Sequence, residues 1–243
     1  MFTENGFDIS EHNGDIDFKK AKATNDFVII RAGYGRAIEY PTQYDKYFDK
    51  NYNAAKSAGL KVGAYWYSYA TNANEARQEA QAFLKAVSGK QFEYPLYFDI
   101  EESKILNMGM SVCDPIAQAF CREIEKAEYY AGIYCSSYWT QKILKPETIK
   151  RFTLWIADWT GTPINKNIYP TCEVNQYTNS KQVYDFKYCD GNICNTDFTT
   201  IMKTRGKNGF NKTDKTITTT YGDKLIHGSI TYECISGQEI KIK

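Results

Sequence analysis

Tyr94-Pro95-Leu96-Tyr97-Phe98-Asp99-Ile100-Glu101-Glu102 is a stretch that joins a buried strand to the acids that follow it. Side chains alternate along a strand, so Asp99 and Glu101 are predicted to share one face while Ile100 points back into the core. Like charge and partial desolvation raise the pKa of at least one acid in such a pair. A protonated acid beside an ionised one is what glycosidic bond cleavage needs, although two solvated acids without a function would give the same pattern.

Composition limits the class of protein. The 243 residues suit one barrel-sized domain with a small appendage, and a 42% hydrophobic fraction is enough for a packed core. The net charge of +1 creates no field that would attract nucleic acid, so DNA and RNA are not expected as partners. No stretch reaches the roughly 18 consecutive apolar residues of a membrane-spanning helix, so membrane insertion is not expected either.

The cysteines do not form a metal-binding pattern. No Cys-x-x-Cys pair occurs, and His12 and His227 have no cysteine neighbours, so no metal site is expected. Reduced and mostly buried thiols are favoured, and the alternative is one disulfide, either Cys189–Cys194 or Cys172–Cys189. The seven cysteines, odd in number and irregular in spacing, are Cys113, Cys121, Cys135, Cys172, Cys189, Cys194 and Cys234.

Strand and helix patterns alternate over most of the chain. Buried strands are predicted at residues 7–10, 27–33, 61–69, 94–102, 131–135 and 154–159. Helices are predicted at residues 18–23, 44–58, 116–127 and 138–144, and after a capping box of Asn72 and Glu75. Asp114 is the predicted cap of the helix at 116–127, with Pro115 as its first residue.

After the strand predicted at 154–159, strands are no longer followed by helices. Short strands are predicted at 173–177 and 193–198, with no helical pattern among them. Alternation indicates a parallel sheet with right-handed crossovers, and eight strands can close on themselves. The fold class is therefore predicted as α/β: an irregular TIM-like (β/α) barrel with about five βα units and a strand-rich end.

Acidic residues recur where the predicted strands end. In barrels of this kind, chemistry gathers at the carboxyl ends of the strands, so acids at these positions are expected to converge on one rim. Such convergence favours a functional site over a solvated surface. The five acids at or near predicted strand ends are Asp8, Asp99, Glu101, Asp158 and Asp197.

The ordered set of motifs resembles the glycoside hydrolase family 25 lysozymes. The resemblance runs from about Gly6 to about Ile201, and it rests on the order of the motifs because each is weak alone. It implies cleavage of the β-1,4 bond between N-acetylmuramic acid and N-acetylglucosamine in bacterial peptidoglycan, without a metal or organic cofactor. The motifs are Phe7-Asp8-Ile9-Ser10, Asn13-Gly14, Ile16-Asp17-Phe18, residues 27–33, Gly63-Ala64-Tyr65, Phe98-Asp99-Ile100-Glu101, Gly132-Ile133-Tyr134, Leu154-Trp155-Ile156-Ala157 and Gln176-Tyr177-Thr178.

The resemblance assigns the family's acids to Asp8, Asp99, Glu101 and Asp197. Asp190 is a nearby competitor for the last position, and Asp197 is preferred because Asn195-Thr196-Asp197-Phe198 resembles the family's strand-ending acid beside an apolar residue. Two departures occur. Asn175 stands where the family usually has Trp, and Trp66 stands where His is common, so both are expected to alter substrate contacts.

Roles for the paired acids follow from their chemistry. Glu101 is the expected general acid, with the charge of Asp99 keeping its pKa high. Asp99 is either a direct nucleophile or the residue that orients the 2-acetamido group of the substrate for attack, and the second role is preferred. The residues expected to bind substrate, with core packing as the alternative for the aromatic ones, are Tyr65, Tyr134, Trp155, Asp158 and Gln176.

The carboxyl-terminal residues are predicted to be separate from the barrel. Residues 1–205 form the predicted catalytic barrel, with a hinge at 206–209 and a small β extension over 206–243. Three short strands are predicted there, at 216–221, 229–235 and 238–242. The extension is expected to pack on the barrel, to bind the wall or to form a homo-oligomer, and these alternatives remain open.

Three functions fit the sequence. A muramidase of the phage endolysin or autolysin type is preferred to a catalytically silent glycan-binding protein on the same barrel and to a chitinase-like hydrolase. Met1-Phe2-Thr3-Glu4-Asn5 lacks the basic and apolar regions of a signal peptide. Synthesis in the cytoplasm is therefore expected, with release to the bacterial cell wall by a phage pore or an export route that the sequence does not show.

Overall fold

The structure, a computed structural model, describes residues 2–211 and the backbone of residues 215–218, 224–227, 230–233 and 239–242. Eight strands form a closed barrel in sequence order, with β8 next to β1. Strands β1 to β7 run parallel, whereas β8 is antiparallel to both of its neighbours. The strands are β1 (Glu4–Ile9), β2 (Phe27–Tyr34), β3 (Lys61–Tyr67), β4 (Leu96–Asp99), β5 (Ala131–Ser136), β6 (Thr153–Ala157), β7 (Cys172–Tyr184) and β8 (Lys187–Cys194).

Helices connect consecutive strands as far as β6. The predicted mixed α/β fold with a closed barrel of eight strands is confirmed. No helix separates β7 from β8, which form a long hairpin instead. The helices are α1 (Phe18–Lys22), α2 (Phe48–Ser57), α3 (Ala73–Val87), α4 (Ser103–Leu106), α5 (Met110–Lys126), α6 (Ser137–Ile143), α7 (Pro146–Arg151) and α8 (Phe198–Arg205).

Helix α3 begins where the sequence predicts it. The Asn72 side chain accepts hydrogen bonds from the backbone N–H groups of Asn74 and Glu75, which no carbonyl within the helix could satisfy. The Glu75 carboxylate accepts from the backbone N–H and the hydroxyl of Thr71, at 2.8 and 2.9 Å, so it fixes the preceding loop. Both contacts stabilise the connection between β3 and α3.

The predicted start of the next long helix is wrong. Helix α5 begins at Met110 and contains Pro115 in its interior, where proline removes one backbone hydrogen bond. Asp114 does not cap the helix, because it is fully buried and accepts hydrogen bonds from Lys145 N and Gln118 Nε2, at 3.0 and 2.8 Å. Burial of the apolar stripe on both sides of the proline outweighs the local Asp-Pro signal.

The strand-rich end also differs from its prediction. Strands β7 and β8 are longer than the predicted pieces, and the chain leaves β8 at Cys194 rather than at residue 198. Helix α8 then follows, capped by Asp197, whose side chain accepts from Thr200 N at 3.0 Å. The sequence prediction missed α8 because its apolar residues Phe198 and Met202 show little helical pattern alone.

Two apolar layers hold the barrel. Phe27, Ile29 and Tyr97 belong to the inner layer, which fills the barrel and is closed at one end by α8. Trp66 and Phe83 belong to the outer layer, between the strands and the helices. The indole N–H of Trp66 donates to Gly35 O at 3.0 Å, and its side chain is fully buried. The expectation that Trp66 alters substrate contacts is therefore wrong.

The cysteines that the structure describes are buried thiols, as predicted. Cys113, Cys121, Cys135, Cys172, Cys189 and Cys194 are all free. Cys234 lies outside the described residues. Within the described part of the chain, no helix combines the length and the apolar character that crossing a membrane requires.

Residue Asn208 fixes the predicted hinge to the barrel. It is fully buried, and its side chain accepts from Tyr130 N at 2.6 Å and donates to Tyr94 O at 2.7 Å. Its backbone bonds Phe92 N and Glu128 O, both at 3.1 Å. The prediction of a hinge at 206–209 is wrong, because these four hydrogen bonds anchor the segment.

Four short strands follow the anchored segment. Strand β9 (Lys215–Thr218) pairs with β12 (Glu239–Ile242), and β10 (Lys224–His227) pairs with β11 (Ile230–Glu233). The strands predicted at 216–221, 229–235 and 238–242 overlap β9, β11 and β12, and the remainder of those ranges lies outside the described residues. Strand β10 was not predicted.

Truncation tests the anchor at Asn208. A chain ending at Arg205 loses hydrogen bonds to buried backbone groups, so its free energy of unfolding should fall by about 2–4 kcal/mol. A chain ending at Asn211 keeps the anchor and serves as the matched control. Urea denaturation followed by circular dichroism measures both, and equal midpoints for the two truncated chains would contradict this account.

Candidate active site

A cleft of about 490 Å³ opens at the carboxyl ends of the parallel strands. Tyrosine rings and acids dominate its walls, a combination that suits a sugar because rings cover C–H faces and carboxylates bind hydroxyl groups. The residues that line it are Ser10, Glu11, His12, Arg31, Tyr34, Tyr65, Tyr67, Tyr69, Asp99 and Glu101.

Asp99 and Glu101 face this cleft together, while Ile100 is buried behind them. The predicted alternation is therefore confirmed. The two acids have unlike surroundings, because Asp99 is 2% exposed whereas Glu101 is exposed at the mouth. The Asp99 atom Oδ1 is buried and has no hydrogen-bond partner among the described residues.

Burial and like charge raise the pKa of both acids. Desolvation raises the pKa of Asp99 well above its usual range, the charges of Glu101 and Asp8 raise it further, and the Arg31 guanidinium opposes them. The walls of the cleft exclude part of the water around Glu101, and this desolvation raises its pKa. The charges of Asp190 and Glu102 raise the pKa of Glu101 further. Because the repulsion between Asp99 and Glu101 is mutual, the charge of each carboxylate raises the pKa of the other.

Asp8 belongs to a second group of polar residues beside this pair. Its Oδ2 accepts from Asn192 Nδ2 at 2.7 Å and from Gln176 Nε2 at 2.9 Å. Asp190 lies directly opposite Asp8 in the pairing of β1 with β8, and Gln176 Nε2 is 3.4 Å from Asp190 Oδ2. Desolvation and the charge of Asp190 raise the pKa of Asp8, while the bonds from Asn192 and Gln176 oppose the rise.

Gln176 and Trp155 support this group from below the cleft. The Gln176 Oε1 accepts from Tyr134 OH at 3.1 Å and from Trp159 Nε1 at 3.3 Å, so its amide is oriented with Nε2 toward the acids. Trp155 is 1% exposed and donates to Asn192 Oδ1 at 2.7 Å. The structure therefore places Trp155 and Gln176 behind the acids rather than on the cleft wall.

The other predicted substrate-binding residues have different positions. Tyr65 lines the cleft, and its ring meets that of Trp155 edge-on at 5.8 Å. Tyr134 is 7% exposed and stands against Trp155 at 4.4 Å. Asp158 lies at the rim after β6, where its carboxylate accepts from the backbone and the hydroxyl of Thr160, at 3.0 and 2.7 Å.

Asp197 does not join the other acids, so the expectation that it converges with them is wrong. Strand β8 runs antiparallel to its neighbours, and its carboxyl end therefore lies at the opposite rim of the barrel from the cleft. Asp197 caps α8 there, within the influence of Lys61 at the start of β3. Asp190, within β8, is the acid that reaches the cluster.

Substitution of Asp190 should lower activity, whereas substitution of Asp197 should leave it nearly unchanged. Asp190→Asn removes a charge that raises the pKa of Glu101, so Glu101 should lose its proton at a lower pH. The basic limb of the pH–activity profile then moves to lower pH, and kcat/KM at pH 7 falls by about 10-fold. Asp197→Asn keeps a good helix cap and is expected to stay within about twofold of wild type. Turbidity of cell-wall suspensions measures both, and the reverse order of effects would contradict the placement.

Sequence analysis missed three groups of site residues. Asn192 shares one face of β8 with Asp190, which the sequence offers only as a competitor of Asp197. The same alternating pattern as in Asp99 and Glu101 is a signal that could have found Asn192 and favoured Asp190. Trp159 is 54% exposed beside Gln176, so it offers a stacking surface at the rim. Tyr34 at the end of β2 and Tyr67 at the end of β3 also line the cleft, and neither lies in a motif that the sequence singles out.

Arg31 brings a positive charge into the acidic cleft. Its Nε donates to Asp45 Oδ2 and its Nη2 to Glu11 Oε1, both at 3.0 Å. Asp45 Oδ2 also accepts from Glu11 N at 2.9 Å, so the three side chains form one buried network. This network holds the guanidinium where it opposes the rise in the pKa of Asp99.

Comparison with solved structures places the fold among cell-wall lytic proteins. The CTP1L endolysin has a TM-score of 0.68 at 25% identity, over 84% of this chain and 70% of that chain. The modular autolysin LytC from Streptococcus pneumoniae, solved with a synthetic peptidoglycan ligand, has a TM-score of 0.68 at 25% identity. That match covers 79% of this chain and 46% of that chain.

Comparison of sequences gives the family. An autolytic lysozyme of Clostridium acetobutylicum is 29% identical over 157 residues, which are 63% of this chain and 44% of that protein. The chain thus spans less than half the length of this curated relative. The profile described as Glycosyl hydrolases family 25 matches residues 7–186, which include Asp8, Asp99 and Glu101. The chain belongs to glycosyl hydrolase family 25.

Proposed function

We propose that this protein is a lysozyme that hydrolyses the β-1,4 bond between N-acetylmuramic acid and N-acetylglucosamine in bacterial peptidoglycan. One observation carries the proposal: two acids on one strand end face an open cleft, one deeply buried and one at the mouth. The family and the lytic relatives support it. The position of the cleft at the carboxyl ends of parallel strands also supports an irregular TIM-like barrel.

Glu101 is the general acid of this proposal. It stands at the mouth, where it can exchange protons with water, and desolvation together with Asp190 and Glu102 raises its pKa. A raised pKa keeps the carboxyl group protonated at a pH where an ordinary glutamate is ionised. Glu101 donates this proton to the oxygen of the leaving sugar as the glycosidic bond breaks.

Asp99 orients the acetamido group of the sugar on the other side of the bond. The Asp99 carboxyl group lines the cleft and accepts from the acetamido N–H, and this contact turns the acetamido carbonyl oxygen toward the anomeric carbon. That oxygen bonds to the anomeric carbon while the leaving group departs. Water then opens the cyclic intermediate and gives a proton back to Glu101, so the configuration is retained.

Asp8 and its partners complete the negative side of the cleft. Asn192 and Gln176 hold one carboxylate oxygen of Asp8, and Asp190 lies beside it. These groups bind sugar hydroxyls and stabilise the positive charge that develops at the anomeric carbon. Tyr65 supplies the adjoining wall.

Mass spectrometry of digested peptidoglycan tests the proposed activity. New muramic acid reducing ends are expected, and new glucosamine reducing ends would contradict the bond assignment. Chitin serves as the control polymer, since equal cleavage of chitin would favour a chitinase-like hydrolase. Binding to walls without release of fragments would favour a silent glycan-binding protein.

The residues after the anchored segment are proposed to attach the enzyme to the wall or to a second copy. The two small sheets of this segment each contain only two described strands, and unpaired strand edges invite a partner. Sedimentation and wall pull-down of the full chain and of a chain ending at Asn211 test this. Unchanged mass and unchanged wall binding would leave the segment as a structural extension.

A further inference from the structure

Glu79 is a fully buried acid outside the barrel that the proposed chemistry does not use. It lies on α3, and its carboxylate receives two hydrogen bonds from the loop that follows β3. The Ser68 hydroxyl is 2.6 Å from Glu79 Oε2, and Tyr69 N donates to Glu79 Oε1 at 2.9 Å. A buried carboxyl group is costly unless such contacts compensate it.

The loop held by Glu79 leads directly to the cleft. Tyr69 lines the cleft and meets the rings of Tyr34 and Tyr67, at 6.0 and 5.3 Å. Ser68 N donates to Asp99 O at 2.9 Å, which extends the pairing of β3 with β4 to the catalytic strand end. Glu79 on α3 therefore contacts both Ser68, whose backbone N–H bonds Asp99 O, and Tyr69, which lines the cleft.

Ser68 also closes the loop on itself. Its hydroxyl oxygen accepts from Ala70 N at 3.1 Å while the hydroxyl group meets Glu79. Three hydrogen bonds thus shape the segment 68–70, two of them made by Glu79 and the third by the Ser68 hydroxyl group that Glu79 holds. In the described part of the loop, no other carboxylate contacts Ser68 or Tyr69 N by a hydrogen bond.

We propose that Glu79 is a positioning residue that fixes segment 68–70, and through it the Tyr69 wall and the Asp99 backbone, for the hydrolysis of peptidoglycan. This inference rests on the proposed function wherever activity on cell walls is the quantity measured. Glu79 is fully buried and does not line the cleft of Asp99 and Glu101. Its effect reaches the cleft through the backbone of β3 and β4.

The contacts of Glu79 persist in either protonation state. Burial raises the pKa of Glu79 to about 7, with Glu75 adding to the rise and Arg36, Ser68 and Tyr69 N opposing it. The ionised group accepts from the Ser68 hydroxyl, and the protonated group can donate to the same oxygen while Oε1 still accepts from Tyr69 N. A glutamine offers the same arrangement, with Nε2 as donor and Oε1 as acceptor.

Four variants test the positioning role. Glu79→Ala should lower kcat/KM on purified cell walls by about 10- to 100-fold, because the wall and the Asp99 backbone shift. Glu79→Gln should restore activity to within about threefold of wild type. Gln81→Ala is the matched control on the same helix, since the Gln81 side chain is exposed. Ser68→Ala removes the hydroxyl bridge with little loss of volume.

Hydrogen exchange supplies a readout that is independent of activity. Amides 69 and 70 should exchange faster in Glu79→Ala, and amide 70 faster in Ser68→Ala, while Glu79→Gln remains protected. If Glu79→Ala does not fold, Ser68→Ala decides by the same measurement. Activity of Glu79→Ala equal to that of Gln81→Ala, or unchanged exchange in Ser68→Ala, would overturn the inference. If the wild type releases no fragments, the proposed function fails, whereas exchange still decides the role of Glu79.

A pH series adds a check on Glu79 itself. Because its folded-state pKa is raised from 4.5 to about 7, the folded protein binds a proton that the unfolded chain releases in this range. Stability from this group is therefore present at low pH and is lost as pH rises through about 7. The melting temperature of Glu79→Gln relative to wild type should increase from pH 5 to pH 8, and a flat difference would contradict the burial of an ionisable group there.

Discussion

Glu101→Gln is expected to lower kcat on peptidoglycan by about 10²- to 10⁴-fold and to leave the fold intact. The amide has nearly the shape of the carboxyl group, but it carries no acidic proton for the leaving oxygen. The side chain stands at the open mouth, so the exchange disturbs no buried contact. Reducing-end release measures kcat, and circular dichroism with thermal melting measures the fold. Activity within a few-fold of wild type would exclude Glu101 as the acid.

Glu102→Gln is the matched control for this variant. Glu102 is the next residue, accepts from Tyr67 OH at 3.2 Å and takes no part in proton donation. Its charge raises the pKa of Glu101, so its removal should lower that pKa. The basic limb of the pH–activity profile should then move to lower pH, while kcat at the optimum stays within about threefold of wild type. A shift to higher pH would contradict the electrostatic account.

Asp99→Asn is expected to lower kcat by about 10²- to 10³-fold, because a neutral amide cannot stabilise the charge of the cyclised intermediate. The same substitution should stabilise the protein at higher pH. Burial, Glu101 and Asp8 raise the folded-state pKa of Asp99, so its contribution to stability is lost as pH rises. The melting temperature of the variant relative to wild type should therefore increase with pH. Kinetics and a pH series of melting curves measure the two effects.

A slow substrate with a good leaving group separates the two roles of Asp99. Orientation of the acetamido group leaves no bond between sugar and protein, so intact-mass spectrometry of the stalled wild-type enzyme should show no adduct. A glycosyl group attached to Asp99 would instead identify this residue as the nucleophile. Wild-type rates in Asp99→Asn would exclude both roles.

Local patterns predicted the paired acids, whereas long-range geometry decided the rest of the site. The alternation of Asp99, Ile100 and Glu101 depends only on neighbouring residues, and it was confirmed. The choice between Asp190 and Asp197 depends on the direction of β8, which no local pattern gives. The resemblance of residues 195–198 to the family's strand-ending motif favours Asp197, whereas the antiparallel strand places that end at the opposite rim.

The same difference explains the helix errors. Asp114 and Pro115 form a strong local start signal, yet burial of Asp114 against Lys145 N and Gln118 extends α5 beyond it. Asn208 looked like part of a glycine-flanked hinge, but its amide fits buried backbone groups that are distant in the sequence. In both cases a tertiary contact outweighed the local preference.

The pairing of β1 with β8 makes the site a product of complete folding. Asn192 donates to Asp8 across 184 residues of sequence, which is one of the largest sequence separations between contacting residues in the barrel. Contacts of this kind form late, because a long loop must close before they are made. A nascent chain that has not yet emerged past residue 192 carries Asp99 and Glu101 but cannot seat Asp8 between its amide partners. We therefore expect the proposed activity to appear only after the last barrel strand has paired with the first.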